Sequence, residues 1–269
     1  MNLGEARVLI TGGGGGIGSA IATELLAAGA RVLLADLNGE SLDTVARRLP
    51  AAGDQLGTAI ADLTDAASRS NLCRRAADWG VNILVNNAGV SHFGLFDEMT
   101  PAQLAQTVSI NALAPMLLVH ELLAHLKALP RAQILNVGSV FGNIGYPGYA
   151  AYSASKFAIR GFSEALRREL ADTPVRVQYL APRATRTPIN PPAVEQMNAE
   201  LKVAMDPPAA VARAVRRLLQ QEAADSVVGW PEKLFARVNA VLPGVVDGAI
   251  RRQLPVIRRY ARQPRRSTT

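Results

Sequence analysis

The sequence predicts an α/β fold: a doubly wound, mostly parallel sheet with helices on both faces, in a single domain followed by a basic helical extension. Three observations predict it. Short apolar runs alternate with helical periodicity along most of the chain, the runs lack the in-out alternation of a one-sided sheet, and a glycine-rich loop joins the first run to the first helix.

Taken in order, residues 7–11 read as a strand, 12–16 as a glycine loop, 17–28 as an amphipathic helix and 31–35 as a second strand, which completes a βαβ unit. A helix over 41–49, a strand near 58–61, a helix over 66–77 and the buried run Asn82-Ile83-Leu84-Val85 continue the alternation. After Pro101 a long helical stretch reaches about Lys127, residues 133–137 read as a strand, 149–170 as a second long helix and 175–180 as another strand. Pro182, Pro188, Pro191 and Pro192 keep the next segment irregular until about Ala193, because proline fixes φ and lacks an N–H; residues 183–206 are a candidate substrate lid. Helix returns over 207–221, residues 226–228 supply a last strand, and the remainder reads as basic amphipathic helices interrupted at Pro243 and Pro255. The main domain thus takes residues 1–230 and the extension 231–269.

With 269 residues, 49% of them apolar, the chain can bury a full core. No run approaches the roughly 20 uncharged apolar residues that cross a bilayer, and the N-terminus enters a strand without a signal-peptide pattern, so a cytoplasmic location is expected. Cys73, the single cysteine, sits among charged residues and reads as a bystander thiol. The formal net charge is +7, and Arg251, Arg252, Arg258, Arg259, Arg262, Arg265 and Arg266 equal that whole excess, with no acid among the last nineteen residues. Residues 1–250 are therefore formally neutral, which excludes the broad basic field of a duplex-binding domain; no nucleic-acid partner is expected.

Two patterns carry chemistry. In Thr11-Gly12-Gly13-Gly14-Gly15-Gly16-Ile17-Gly18 the missing Cβ atoms let backbone turn tightly and approach a pyrophosphate, while the helix that starts there offers unpaired N–H groups and its positive dipole end. Asp36, ending the second strand, suits an adenosine ribose and repels a 2′-phosphate, so NAD is expected over NADP; Asp36 can also simply open a turn. In Tyr152-Ser153-Ala154-Ser155-Lys156 the four-residue spacing puts Tyr152 and Lys156 on one helical face, where a cation can stabilise a phenolate whose reference pKa is about 10.

With Asn86-Asn87-Ala88-Gly89, Asp62-Leu63, Asn111 and Ser139 in order around these, the chain resembles the short-chain dehydrogenase/reductase family over roughly residues 5–230. The resemblance implies a Rossmann-type enzyme moving hydride between nicotinamide and an alcohol or carbonyl. It implies that Ser139 and Tyr152 bond the reacting oxygen, that Tyr152 exchanges its proton, that Lys156 lowers the Tyr152 pKa and binds the nicotinamide ribose, and that Asn111 holds a water linking Lys156 to solvent. Cofactor contacts are implied for Gly12, Gly14, Gly16, Ile17, Gly18, Asp36, Leu37, Asp62, Leu63, Asn87, Ala88, Gly89, Tyr152, Lys156, Pro182, Thr185 and Thr187. The long helices resemble those through which family members dimerise, so a homodimer or homotetramer is expected.

One departure stands out: the family commonly has Pro-Gly where this chain has Pro182-Arg183, and Arg183 is expected to point to solvent rather than into the pocket, since burying an unpaired guanidinium is costly. His92, His120 and His125 are too scattered for a metal set, and no metal is predicted. Phe93, Leu95, Phe141, Ile144, Tyr146 and Tyr149 can surround an apolar substrate or be ordinary core. Leu234, Phe235, Val238, Val241 and Leu242 fall on one helical face and Val245, Val246, Ala249 and Ile250 begin another; these stripes can pack on the domain or a second subunit, or lie on an anionic membrane with arginines toward headgroups. A catalytically silent nucleotide sensor or scaffold acting through its tail, and a methyltransferase, are the rival readings; the Tyr152 and Lys156 pair has no place in the second.

Overall fold

The computed structural model of the chain describes residues 1–51 and 53–262. Seven strands among them form one parallel sheet in the order β3-β2-β1-β4-β5-β6-β7: β1 Arg7–Thr11, β2 Arg31–Asp36, β3 Leu56–Ile60, β4 Ile83–Asn86, β5 Ala132–Val137, β6 Val175–Ala181 and β7 Asp225–Val227. The apolar runs are unbroken because both faces are covered. Along β1, Val8 and Ile10 enter one core layer and Leu9 the other, and all three are fully buried. The first layer lies under α1 (Gly16–Ala27) and α8 (Pro208–Gln221), through Ile21, Leu25, Val211 and Leu218. The second lies under α3 (Ala66–Asp78), α5 (Ala114–Ala128) and α6 (Ala150–Glu169), through Leu72, Leu118, Leu122 and Leu166. The order reverses between β1 and β4, so the crevice at the strands' C-terminal ends opens there, and the glycine loop after β1 and Asn86-Asn87-Ala88-Gly89 after β4 meet across it.

The short helix α2 (Gly39–Ala46) follows β2, and the stretch after Pro101 divides. Helix α4 (Pro101–Val108) begins with a capping box between Thr100 and Gln103, and a π-helical segment, Ser109–Leu113, separates it from α5. The whole helical run Pro101–Ala128 is 28 residues long and apolar enough by composition to cross a bilayer, which corrects the expectation that none would be; Leu118, Leu122 and Leu126 nonetheless face the core.

The segment 183–206 is more ordered than its prolines suggest. Helix α7 (Pro192–Glu200) begins at Pro192 and buries Val194 and Met197. Its base is closed by Arg183, whose Nε and Nη2 grip the Asp206 carboxylate at 2.8 and 2.7 Å. Arg183 is therefore neither free in solvent nor aimed into a pocket, contrary to expectation. A planar donor fork meets a carboxylate across the loop, and the pairing compensates the desolvation that would expel a lone guanidinium.

After α9 (Trp230–Val241), α10 runs unbroken over Pro243–Ala261. Pro243 ends the former helix as expected, but Pro255 does not interrupt the latter. Contacts on both sides of it hold the axis: Gln253 accepts from the Tyr146 hydroxyl at 2.7 Å, Ile257 is fully buried, and Arg259 and Tyr260 both bond Glu200 of α7. The proposed stripes divide in the same way. Val238, Val246 and Ile250 pack with Val140 and Ile144, whereas Leu234, Phe235, Val241, Leu242 and Val245 remain exposed, because the two helices touch the domain along one edge. Arg265 and Arg266 lie outside the described residues.

Pro255 removes the N–H that would bond the Arg251 carbonyl. Pro255→Ala should raise stability by about 1–2 kcal/mol, the helix-interior cost of proline less the entropy restored to the unfolded chain, and thermal melting checks it. An unchanged or lower melting temperature would show that the helix is already bent around the proline at no cost.

Candidate active site

The glycine loop is built from contacts that only glycine permits. Gly12 has φ +67° and a Cβ there would lie 2.9 Å from the Ala88 Cα; a Cβ on Gly18 would lie 2.1 Å from the Gly12 carbonyl oxygen. Helix α1 starts at Gly16 with Gly15 as a cap that supplies no side-chain bond, so its first N–H groups face the crevice without an internal partner. The Asp36 carboxylate braces the loop by accepting from the Gly14 and Asn38 N–H groups at 2.9 and 3.1 Å, and Leu37 stands exposed beyond it. Thr187 lies over the helix start, its Cγ2 3.1 Å from where a Gly16 Cβ would be, and Ile17 packs inward. A cradle without Cβ atoms, open helix N–H groups and a carboxylate at the end of β2 together fit a dinucleotide.

Several of the residues expected to touch the cofactor are themselves held by bonds within the protein. Asn87 donates to the Thr11 and Gly12 carbonyls at 3.0 and 3.3 Å, while the Thr11 hydroxyl accepts from the Asn87 and Ala88 N–H groups, so the two loops are stitched together. Asp62 accepts from the Thr64 hydroxyl and N–H, and these bonds hold its carboxyl below the usual range; Leu63 is half-buried beside them. Thr185 donates to the Arg183 carbonyl and Pro182 accepts from the Val140 N–H, so both shape the lid base.

Ser139, Tyr152, Lys156 and Asn111 converge. Ser139 follows β5, where its Oγ accepts from the Phe141 N–H at 3.1 Å and sits close enough to the Tyr152 hydroxyl to favour its ionised form. Tyr152 and Lys156 sit one turn apart on α6, with the ammonium 5.7 Å from the phenol ring centroid. Lys156 is 5% exposed and donates to the Val137 carbonyl at 3.1 Å; among the described residues no carboxylate pairs with it. A Cβ on Gly89 would lie 3.1 Å from the Asn111 Oδ1 and 3.7 Å from the Lys156 Nζ, so this glycine keeps the two side chains at one spot. Asn111 is held by the π segment, where its carboxamide accepts from the Val90 N–H and donates to the Val90 carbonyl and the Ser155 hydroxyl. Burial pushes the Tyr152 phenol above its ordinary range, only partly offset by the Ser139 bond, and pushes Lys156 down to about 8. Each group is thus driven toward its neutral form, so the protein alone does not show the phenolate-favouring effect expected of Lys156.

Beside them is a packed aromatic cluster, the candidate wall of a substrate chamber. Phe141 stacks on Tyr146 with centroids 4.9 Å apart, Phe93 and Phe141 both lean on Tyr149 at 5.1 and 5.2 Å, and Tyr149 meets the Tyr152 ring edge-on at 6.0 Å. Val194 and Met197 of α7 and Ile257 of α10 close it. Ile144 belongs instead to the packing under α9 and α10, and Leu95 only caps a turn. Among the described residues no three His, Cys, Asp or Glu side chains group as metal ligands. Burial pushes the Cys73 thiol up to about 12, where it is inert at neutral pH.

Sequence reasoning missed Tyr179, whose hydroxyl donates to the Ser139 carbonyl at 3.2 Å and whose ring fills the space a Gly138 Cβ would take. It also missed Asp206 and the π segment. Gly138 before Ser139 was the available signal for the first; the others depend on distant pairing that no local spacing reveals.

A family model described as short chain dehydrogenase matches residues 6–198. A 2,5-dichloro-2,5-cyclohexadiene-1,4-diol dehydrogenase of Sphingobium indicum is 35% identical over 183 residues, 67% of this chain and 73% of the relative. A short-chain dehydrogenase/reductase of Burkholderia phymatum, solved with NAD, superposes with a TM-score of 0.82 at 23% identity over 89% of this chain and 94% of that one. A 3-ketoacyl-(acyl-carrier-protein) reductase of Brucella melitensis, solved with NADH, gives 0.77 at 28% identity over 84% and 98%.

The depressed Lys156 pKa has a signed consequence. Between about pH 8 and its unfolded value near 10.4, the unfolded chain holds a proton that the folded chain has lost, so the lysine's cost to stability is full below pH 8 and fades as pH rises. The stability of wild type relative to Lys156→Met should therefore increase by about 1 kcal/mol per pH unit across that window, measured by denaturant unfolding without cofactor. A pH-independent difference would mean that the ammonium is not desolvated.

Proposed function

The chain belongs to the short-chain dehydrogenase family, and we propose that within it the protein is an NAD-dependent dehydrogenase or reductase of apolar secondary alcohols and their ketones. The observation that carries this reading is the convergence of Ser139, Tyr152 and Lys156 between a glycine cradle and an aromatic chamber. The nicotinamide, when bound, accepts or supplies the hydride. Gly12, Gly14, Gly16 and Gly18 with the α1 N-terminus would hold its pyrophosphate, Asp36 its adenosine ribose and Lys156 its nicotinamide ribose.

In the oxidative direction Ser139 fixes the substrate oxygen and Tyr152 removes its proton as the carbon loses hydride; in reduction Tyr152 returns the proton. Ribose hydroxyls at the Lys156 ammonium replace part of the hydration that burial removes, so Lys156 holds its charge to higher pH and brings Tyr152 down toward the working pH. Proton exchange then passes from Lys156 toward Asn111. A cavity of about 10 Å³ lined by Lys156, Asn111 and Asn86 supports that route, and the Asn86 Oδ1 is a buried acceptor with no donor among the described residues. Such a space is close to the size of one water.

The NAD preference rests on Asp36, because its carboxylate beside the Gly14 N–H repels a 2′-phosphate. The preference for apolar substrates rests on the aromatic chamber, and a relative that is a dehydrogenase of a cyclic diol is in keeping with it. A homodimer or homotetramer is proposed through the α4 to α6 face, where Val108, Leu113 and Phe157 stay exposed.

Tyr152→Phe should lower kcat by about 10²–10⁴-fold while NADH affinity, read by fluorescence titration, stays within about threefold. Wild-type turnover in that variant would remove Tyr152 from the mechanism. Asp36→Ala should raise the NADPH-to-NADH ratio of kcat/KM by about tenfold or more, against a wild-type ratio well below one. A wild-type ratio above one would overturn the reading of Asp36.

A further inference from the structure

We propose that the outer face of α9 and α10 docks on an anionic lipid bilayer and holds this end of the molecule, with the aromatic chamber beneath it, at the membrane surface. Trp230 and Val241 are 75% and 77% exposed, and Leu234, Leu242 and Val245 are exposed beside them. Burying such an apolar patch is favourable, and patches of this kind mark interaction surfaces.

The charges around the patch say what kind of partner covers it. Lys233, Arg237, Arg251, Arg252 and Arg258 are exposed and make no ion pair among the described residues, whereas Arg259 and Arg262 are bound to Glu200 and Glu98. Asp247 is the one carboxylate among the described side chains of the two helices. By sequence α9 also carries Glu232, and residues 263–269 add Arg265 and Arg266 with no acid, so cations stay in excess. A second copy placed on this face would bring two sets of uncompensated cations together, so self-association is opposed by charge. An anionic headgroup layer accepts the cations while the indole and aliphatic side chains enter the acyl boundary.

The surface is tied mechanically to the site. On α9, Val238 packs with Val140 directly after Ser139, and Asn239 donates to the Asn143 carbonyl at 2.9 Å; on α10, Ile257 and Gln253 touch the aromatic chamber. A bilayer seated here lies one helix away from the substrate chamber, which suits apolar molecules partitioned in lipid. The inference does not depend on the reaction proposed above, because binding is measured without turnover.

The test is co-sedimentation of the full chain with phosphatidylcholine vesicles and with vesicles of phosphatidylcholine and phosphatidylglycerol, at low and high salt. Two variants accompany it: Trp230→Ser with Leu234→Ser and Val241→Ser, and Lys233→Gln with Arg237→Gln, Arg251→Gln and Arg252→Gln. The expected result is salt-sensitive partitioning at least about tenfold stronger on anionic vesicles, a blue shift of tryptophan emission on binding, and loss of about tenfold or more in each variant. Unchanged sedimentation velocity and thermal melting show that neither variant alters assembly or folding. Equal pelleting with both vesicle types, or none, overturns the proposal, as does undiminished binding by both variants. Dissociation of an oligomer in the apolar variant, without vesicle binding by wild type, assigns the face to a second copy and overturns it equally.

Discussion

A buried ammonium without a carboxylate partner is the constraint around which this structure is arranged. Lys156 reaches the end of β5 from the second turn of α6, and what it finds there is the Val137 carbonyl and the Tyr152 ring. Desolvating a charge costs several kcal/mol, so its surroundings must be fixed to hold it at all. Gly89 leaves room for Nζ, the π segment sets Asn111 beside it, and Gly142 lets α6 approach closely: a Cβ there would sit 2.6 Å from the Lys156 carbonyl oxygen. A carboxylate in the same place would satisfy the lysine permanently and remove its capacity to respond to a bound ribose and to Tyr152.

The remainder of the site follows from two networks that hold backbone rather than ligand. On the cofactor side, Thr11 and Asn87 lock the glycine loop to the β4 loop and Asp36 ties it to the end of β2, so the anion-binding N–H groups are preorganised. On the substrate side, Tyr179 clamps Ser139, and the Arg183–Asp206 pair closes the base of the segment carrying α7. Helix α10 then fastens α7 from above through Arg259, Tyr260 and Glu200. The chamber beside Tyr152 is therefore completed by α10, which lies beyond residue 198 where the family match ends, and its shape is a property of this chain more than of the shared fold.

The strands and the helices up to α6 were legible because periodicity and glycine placement are local signals, except that α4, the π segment and α5 read as one helix; β1 spans the residues the sequence predicts, and the other boundaries shift by a few residues. The convergence of Ser139, Tyr152, Lys156 and Asn111 was legible through their resemblance to a family. Unread features share one physical cause: they depend on partners far along the chain. Arg183 looked solvent-bound until Asp206 was found opposite it, and Pro255 looked like a break, yet α10 continues through it with contacts on both sides. The four-residue spacing shows the cation beside Tyr152 but not the burial that raises the phenol pKa in the protein alone.

Burial shifts Tyr152 up and Lys156 down, each toward its neutral form, and a filled dinucleotide site is expected to reverse both shifts. Carbon-13 NMR of ring-labelled tyrosine, assigned with Tyr152→Phe and titrated with and without NAD, measures this directly. The Tyr152 phenol should stay protonated beyond the ordinary tyrosine range in the protein alone and ionise well below it in the NAD complex. A single ionisation near pH 10, unchanged by NAD, would contradict that expectation.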